Sequence, residues 1–222
     1  MKLLQILTIL VALAGCTSSV ICNISSSPLD EKQPDYALLQ QQLEKIYDID
    51  QGIRNVDWDS IEGDPAVRMA YITKMWRIDS TNQSQVLPIL EKHGWLSKSK
   101  VGEKAADAIF YVVQHSNMEI LEKYLPQMEE LARHGEASAT DAAKMRDRLL
   151  MWKGKKQIYG TQGSGGLREG NVIAIWPIED AENVNKRRRE VGFKTTVEEN
   201  AKRLGAVYDP NEKLPEKKNM QN

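Results

Sequence analysis

The side chains able to handle protons or charge lie far apart along this 222-residue chain. Three of them, Asp50, His115 and Asp147, interrupt stripes of apolar residues at helical spacing. His115 follows Gln114 and comes three residues after Val112, on the apolar side of its predicted helix. An imidazole in such a place can act as a general base near neutral pH. Asp147 comes four residues after Ala143 and three before Leu150, at the edge of another stripe. A carboxylate there is costly unless it is paired or hydrogen-bonded. Asp50 comes four after Ile46, with Gln51 beside it and Arg54 at i+4. Arg148 adjoins Asp147 but points about 100° away around the helix, so the two need not pair.

The stretch Gln157-Ile158-Tyr159-Gly160-Thr161-Gln162 adds amides and hydroxyls. Read as a strand, it puts Gln157, Tyr159 and Thr161 on one face. Such groups can read a polar ligand but do not transfer protons easily at neutral pH. Each candidate also has a purely structural reading. Asp50 and Arg54 fit an i,i+4 pair worth a few tenths of a kcal/mol. His93, His115 and His134 all fall at predicted helix C-termini, where an imidazolium meets free carbonyls and the helix dipole.

The chain has no HExxH, no GxSxG and no clustered Cys/His spacing, so no metal or cofactor is expected. The turn GSGGLREGN lacks the lysine and hydroxyl of a phosphate loop. Lys186 to Arg189 reads as a solvated basic helix face.

The elements that must position these residues are mostly helices. One is expected from Tyr36 to Asn55, and a second from the Asp64 cap and Pro65. A capping box at Ser80 to Gln83 predicts a break and a third helix to His93, with Pro88 near its start. Further helices are expected over 101–115, over 118–134 split by Pro126, and from the Ser138 cap to Trp152, with short ones over 181–191 and 196–204. Gln157 to Gln162 and Val172 to Pro177 read as two strands around the glycine-rich turn. The fold class is therefore mainly α, an orthogonal helical bundle with a small two-stranded β-ribbon at about 156–177. The single domain should span 36–206, with a disordered tail over 207–222.

The N-terminus sets the expected address. Lys2 and the apolar run Leu3 to Gly15 end in Leu13-Ala14-Gly15-Cys16, which resembles a bacterial lipobox. That resemblance implies that residues 1–15 are a signal peptide, that Cys16 is acylated and that 16–35 is a tether. The lipid bilayer is then a partner, and the location is the cell envelope, on the outer membrane facing the periplasm. Cys22 would have no cysteine left to pair with. A net charge of −1 argues against a nucleic-acid binder, and 41% hydrophobic residues suffice for a core.

A second resemblance follows the candidate residues. The chain resembles an uncharacterised bacterial family whose pattern contains Asp-Gln-x-x-Arg, matched by Asp50, Gln51 and Arg54. Its Gly-Trp-Pro is met by Gly94-Trp95 with Leu96 in place of proline, and its Gln-His by Gln114-His115. Its Asp-Arg is met by Asp147-Arg148, and its Gln-x-Tyr-Gly-Thr-Gln by residues 157–162. Asn183-Val184 and Arg187-Arg188 meet the last motif, with Asn185 in place of an acid. The resemblance implies a shared site but no established activity.

Taken together, Asp50, Gln51, Arg54, Gln114, Arg148, Gln157, Tyr159, Thr161 and Gln162 are expected to bind a small polar, glycan-like or peptide-like ligand. One alternative is an envelope hydrolase with His115 and Asp147 as its acid/base pair. Another is an interaction module whose polar network only specifies packing.

Overall fold

The computed structural model describes residues 34–57, 61, 63–170 and 172–215. The proposed signal peptide, Cys16 and nearly all of the tether lie outside the described residues. The described chain is mainly helical, with a small two-stranded antiparallel sheet in its C-terminal part. None of the described helices is long and apolar enough to cross a membrane.

Helix α1 (Tyr36–Arg54) starts where the Asp35 carboxylate accepts from the Leu38 N–H, and it buries Leu43, Ile46, Asp50 and Ile53. Helix α2 (Pro65–His93) begins as expected, on Asp64 and a proline in its first turn. It then runs unbroken through Ser80. The hydroxyls of Thr81 and Ser84 donate back to carbonyls of the preceding turn, Arg77 and Thr81. They therefore do not cap a new helix. Pro88 sits well inside α2, between the buried anchors Val86, Ile89 and Leu90. Tertiary burial outweighs local breaking there.

A single turn, α3 (Lys98–Val101), and Gly102 at φ +82° precede α4 (Glu103–Gln114). Helix α5 (Met118–Arg133) is capped by Asn117 rather than Ser116, and Pro126 does not split it. The Ser116 hydroxyl instead donates to the Val112 carbonyl of α4. Helix α6 (Ala139–Trp152) starts on the Ser138 hydroxyl, as the sequence predicts. Helix α1 packs chiefly on α4, and α5 on α6. Their shared core includes Leu43, Ile46, Leu90, Ile109, Val113, Leu121 and Met145.

After α6 the chain builds a smaller layer. Strands β1 (Gly163–Ser164) and β2 (Ala174–Ile175) pair Gly163 with Ile175 and Ser164 with Ala174. A 3-10 turn (Ala181–Asn183) leads into α7 (Val184–Glu190), and α8 (Val197–Arg203) carries a full capping box at Thr196 and Glu199. Ile175, Ile178, Val184, Val197 and Ala201 form a second, separate apolar cluster. The chain stays attached past residue 206, because Val207 bridges Ala174, and Glu212 and Asp209 meet Arg168.

Gln157 to Gln162 is not the strand that its composition predicts. Only Gln157 makes a bridge, to Ile178, and the next residues wrap around a buried carboxylate. Three amide N–H groups aimed at one anion cannot alternate across a strand, so the pleat is lost.

Candidate functional site

Two polar centres result. The first is a carboxylate cradle. Asp147, fully buried on α6, accepts from the Ile158 N–H at 2.8 Å, from the Tyr159 N–H at 3.1 and 3.2 Å, and from the Thr161 N–H at 3.0 Å. The Thr161 hydroxyl donates to it at 2.9 Å. Burial pushes the Asp147 carboxyl up, against the pull of these donors towards the ionised form. With both oxygens engaged, Asp147 ties the 157–162 segment to the helical layer. The Gln157 amide, itself buried, donates to the Gln162 and Trp176 carbonyls at 2.9 and 2.6 Å.

The basic run after residue 185 completes this clasp. Arg188 is 1% exposed and donates to the Tyr159 and Thr195 carbonyls, with its guanidinium 4.4 Å from the Phe193 ring centre. Arg187 reaches the Ile158 carbonyl. These two arginines are therefore not the solvated face that the charge run suggests.

The second centre surrounds His115, the residue that caps the C-terminus of α4. Its Nδ1 stands 3.5 Å from Asp50 Oδ1, and Asp50 is 1% exposed. The Gln51 amide donates to the other Asp50 oxygen at 2.8 Å. The Arg54 guanidinium lies 3.0 Å from Asp50 and 2.5 Å from Asp79. Burial pushes the Asp50 carboxyl up, but His115, Arg54 and Gln51 together hold it below its ordinary range. Asp50, Asp79 and His115 bring three ligand-type atoms within 4.8 Å of one another. Arg54 already supplies both carboxylates with the positive charge that a cation would bring, so the trio does not call for a metal.

Between the bundle and the smaller layer lies a cavity of about 700 Å³. Its walls are Phe110, Tyr111 and Gln114 from α4, His115, and Thr140, Lys144 and Arg148 from α6. Thr161 to Gly163, Arg188, residues 192–195, and Asn200, Arg203 and Leu204 close the other side. Lys144, Arg148, Arg188, Lys194 and Arg203 line it, and no lining residue is acidic. Lys144 is paired with Asp141 at 2.7 Å. Arg148 donates to the Gln114 carbonyl at 2.9 Å, while its buried Nε has no partner. Burial, and then the neighbouring Arg54, disfavour the Arg148 charge. Burial also pushes the Tyr111 phenol up to about 12, which keeps it neutral.

The predicted site residues therefore divide. Gln114, His115, Arg148, Thr161 and Gln162 line one cavity, and Asp50 backs it through His115. Gln51 and Arg54 border a separate shallow depression next to Asp48 and Asn55. Gln157 is interior, and Tyr159 lines a different groove with Arg146 and Glu129. The expected pairing of His115 with Asp147 is not what the fold builds, because Asp50 takes the place beside the imidazole. Sequence reasoning missed Phe110, Tyr111, Lys144, Phe193, Lys194 and Arg203 as cavity walls. It also dismissed Arg188, although the Arg-Arg of the last family motif pointed to it.

No curated protein and no solved structure matches this chain. The model of the family described as "Family of unknown function (DUF6624)" matches residues 34–212, which contain every element described above. The chain belongs to that family.

Proposed function

We propose that this domain captures an anionic ligand in the cavity between the helical bundle and the smaller C-terminal layer. The observation that carries this reading is the charge of the walls: five cationic side chains and no acid. Arg148 and Arg188 matter most, because neither has a carboxylate partner and both are drawn largely out of water. An arginine held that way favours a bound carboxylate, phosphate or sulfate group, which its planar donors can grip in two places. Gln114, Gln162 and Asn200 add donors and acceptors that can orient a polar body, and Phe110, Tyr111 and Phe193 add apolar surface.

Sulfate is a suitable probe, because it does not titrate near neutral pH. Arg148→Ala should weaken sulfate binding by about 10–100-fold, the value of one or two charge-assisted hydrogen bonds. Arg146→Ala, which lies outside the cavity, should leave binding unchanged. Equal sulfate affinity in wild type and Arg148→Ala, measured by titration calorimetry, would overturn the reading.

The protein itself, in this reading, is an envelope lipoprotein held to the bilayer through acylated Cys16. What supports this is the charged start, the apolar run and the small residues before that cysteine. One acyl-bearing cysteine would leave the ligand cavity on the aqueous side of the membrane. Cys16→Ser should move the protein from the membrane to the soluble fraction of cells, and unchanged fractionation would rule the anchor out.

A further inference from the structure

We propose that the cavity is also a hydrolytic site for phosphate esters, with His115 as its catalytic base and Asp50 as the positioning residue behind it. The inference rests on the anion-binding reading and extends it from capture to chemistry.

Its first support is the His115–Asp50 pair. Asp50 Oδ1 and His115 Nδ1 face each other at 3.5 Å, too far for a full hydrogen bond; Asp50 Oδ1 is also ion-paired with Arg54 at 3.0 Å, while His115 Nδ1 has no hydrogen bond among the described residues. A buried imidazole nitrogen left in this way is rare in a folded protein. Side chains that tighten onto each other when substrate arrives have this loose geometry beforehand. With Nδ1 turned to Asp50, Nε2 is the nitrogen left for the cavity that His115 lines. The ring stacks on Tyr111, with centroids 6.2 Å apart and planes 22° apart, which limits its freedom to rotate.

The second support is what surrounds the imidazole. Negative charge grows on the non-bridging oxygens as a phosphate ester is cleaved, and fixed cations lower that barrier. Arg148 on α6 and Arg188 on α7 approach the cavity from different elements, with Lys194 and Arg203 on the same side as Arg188. The charged and titratable groups near His115 are Asp50 and Arg54 from α1, Asp79 from α2, Tyr111 from α4 and Arg148 from α6.

The step balances without any further reactant than water. His115 Nε2 takes a proton from a water molecule, whose oxygen forms the new bond to phosphorus. The bond from phosphorus to the ester oxygen breaks on the opposite side, the departing oxygen takes a proton from solvent water, and the imidazolium gives its own proton back to solvent. The products are an alcohol and a phosphate with one more oxygen from water. Asp50 stays ionised throughout and keeps the ring in one tautomer.

The experiment uses p-nitrophenyl phosphate and bis(p-nitrophenyl) phosphate, with binding read from displacement of sulfate and turnover from released nitrophenolate. Wild type should hydrolyse at least one ester about 100-fold faster than His115→Gln, with the ester's affinity kept. Asp50→Asn should lower kcat by about tenfold or more with little change in KM, and should move the acidic limb of the pH–rate profile. Asp50→Glu should restore part of the rate. An ester that displaces sulfate but is cleaved no faster by wild type than by His115→Gln would overturn the hydrolytic inference and leave the binding reading intact. Failure of sulfate and both esters to bind would overturn both.

Discussion

Two buried aspartates show how one residue type is put to opposite uses. Asp147 has its oxygens filled by three backbone N–H groups and a hydroxyl, so it has no capacity left for a ligand. Asp50 keeps one oxygen short of a full hydrogen bond and turned towards an imidazole. Each unmet buried donor costs about 1–3 kcal/mol. Asp147→Ala would strand the N–H groups of Ile158, Tyr159 and Thr161 together, so a loss on the order of 3 kcal/mol or more is expected. Urea unfolding monitored by tryptophan fluorescence checks this, and a loss below about 1 kcal/mol would mean that the cradle does not hold the segment. Both aspartates were legible as misfits on apolar stripes, because burying a charge needs a reason. Arg54 was legible as the i,i+4 partner of Asp50, but His115, 65 residues on, and the N–H groups up to 14 residues beyond Asp147 were not.

At the scale of elements, local signals were right where nothing competed with them. Asp64 and Ser138 cap the helices that they were expected to cap. Ser80 and Ser116 do not: the helix runs straight through Ser80, and Ser116 donates to the Val112 carbonyl while Asn117 makes the cap. The 157–162 segment failed as a strand for a further reason: its backbone bonds to a side chain from another element. Gly160 makes that wrap possible, with φ +68° and with Val197 Cγ2 only 2.6 Å from where a Cβ would stand. Ile178 Cδ1 would be 2.8 Å from the same atom. Gly160→Ala should therefore cost roughly 2 kcal/mol from strain and crowding, visible as a drop of several degrees in Tm. An unchanged Tm would mean that the segment can reshape without loss.

For the whole molecule, what matters is that a chain of net charge −1 gathers five cations and no acid along the walls of one cavity, with Lys144 in an ion pair and Arg148 and Arg188 held by carbonyls. Acidic groups are plentiful, but they lie elsewhere, as Glu129 does on Arg146 and Glu91 on Lys123. Sulfate binding should weaken as sodium chloride is raised, because the more exposed Lys194 and Arg203 are screened. It should not vanish, because Arg148 and Arg188 are shielded from salt. An affinity indifferent to salt in calorimetric titrations would remove the exposed cations from the site.

The sequence by itself determined the mainly helical class, most helix starts, the family and the set of polar residues that break apolar stripes. These depend on periodicity and capping, which act over a few residues and can be read locally. Only the tertiary structure decided that Asp50 stands behind His115, that Asp147 is a closed cradle, and that Arg188 helps to wall a cationic cavity. Those outcomes depend on which buried donor meets which acceptor across distant elements, and that is fixed only when the layers pack.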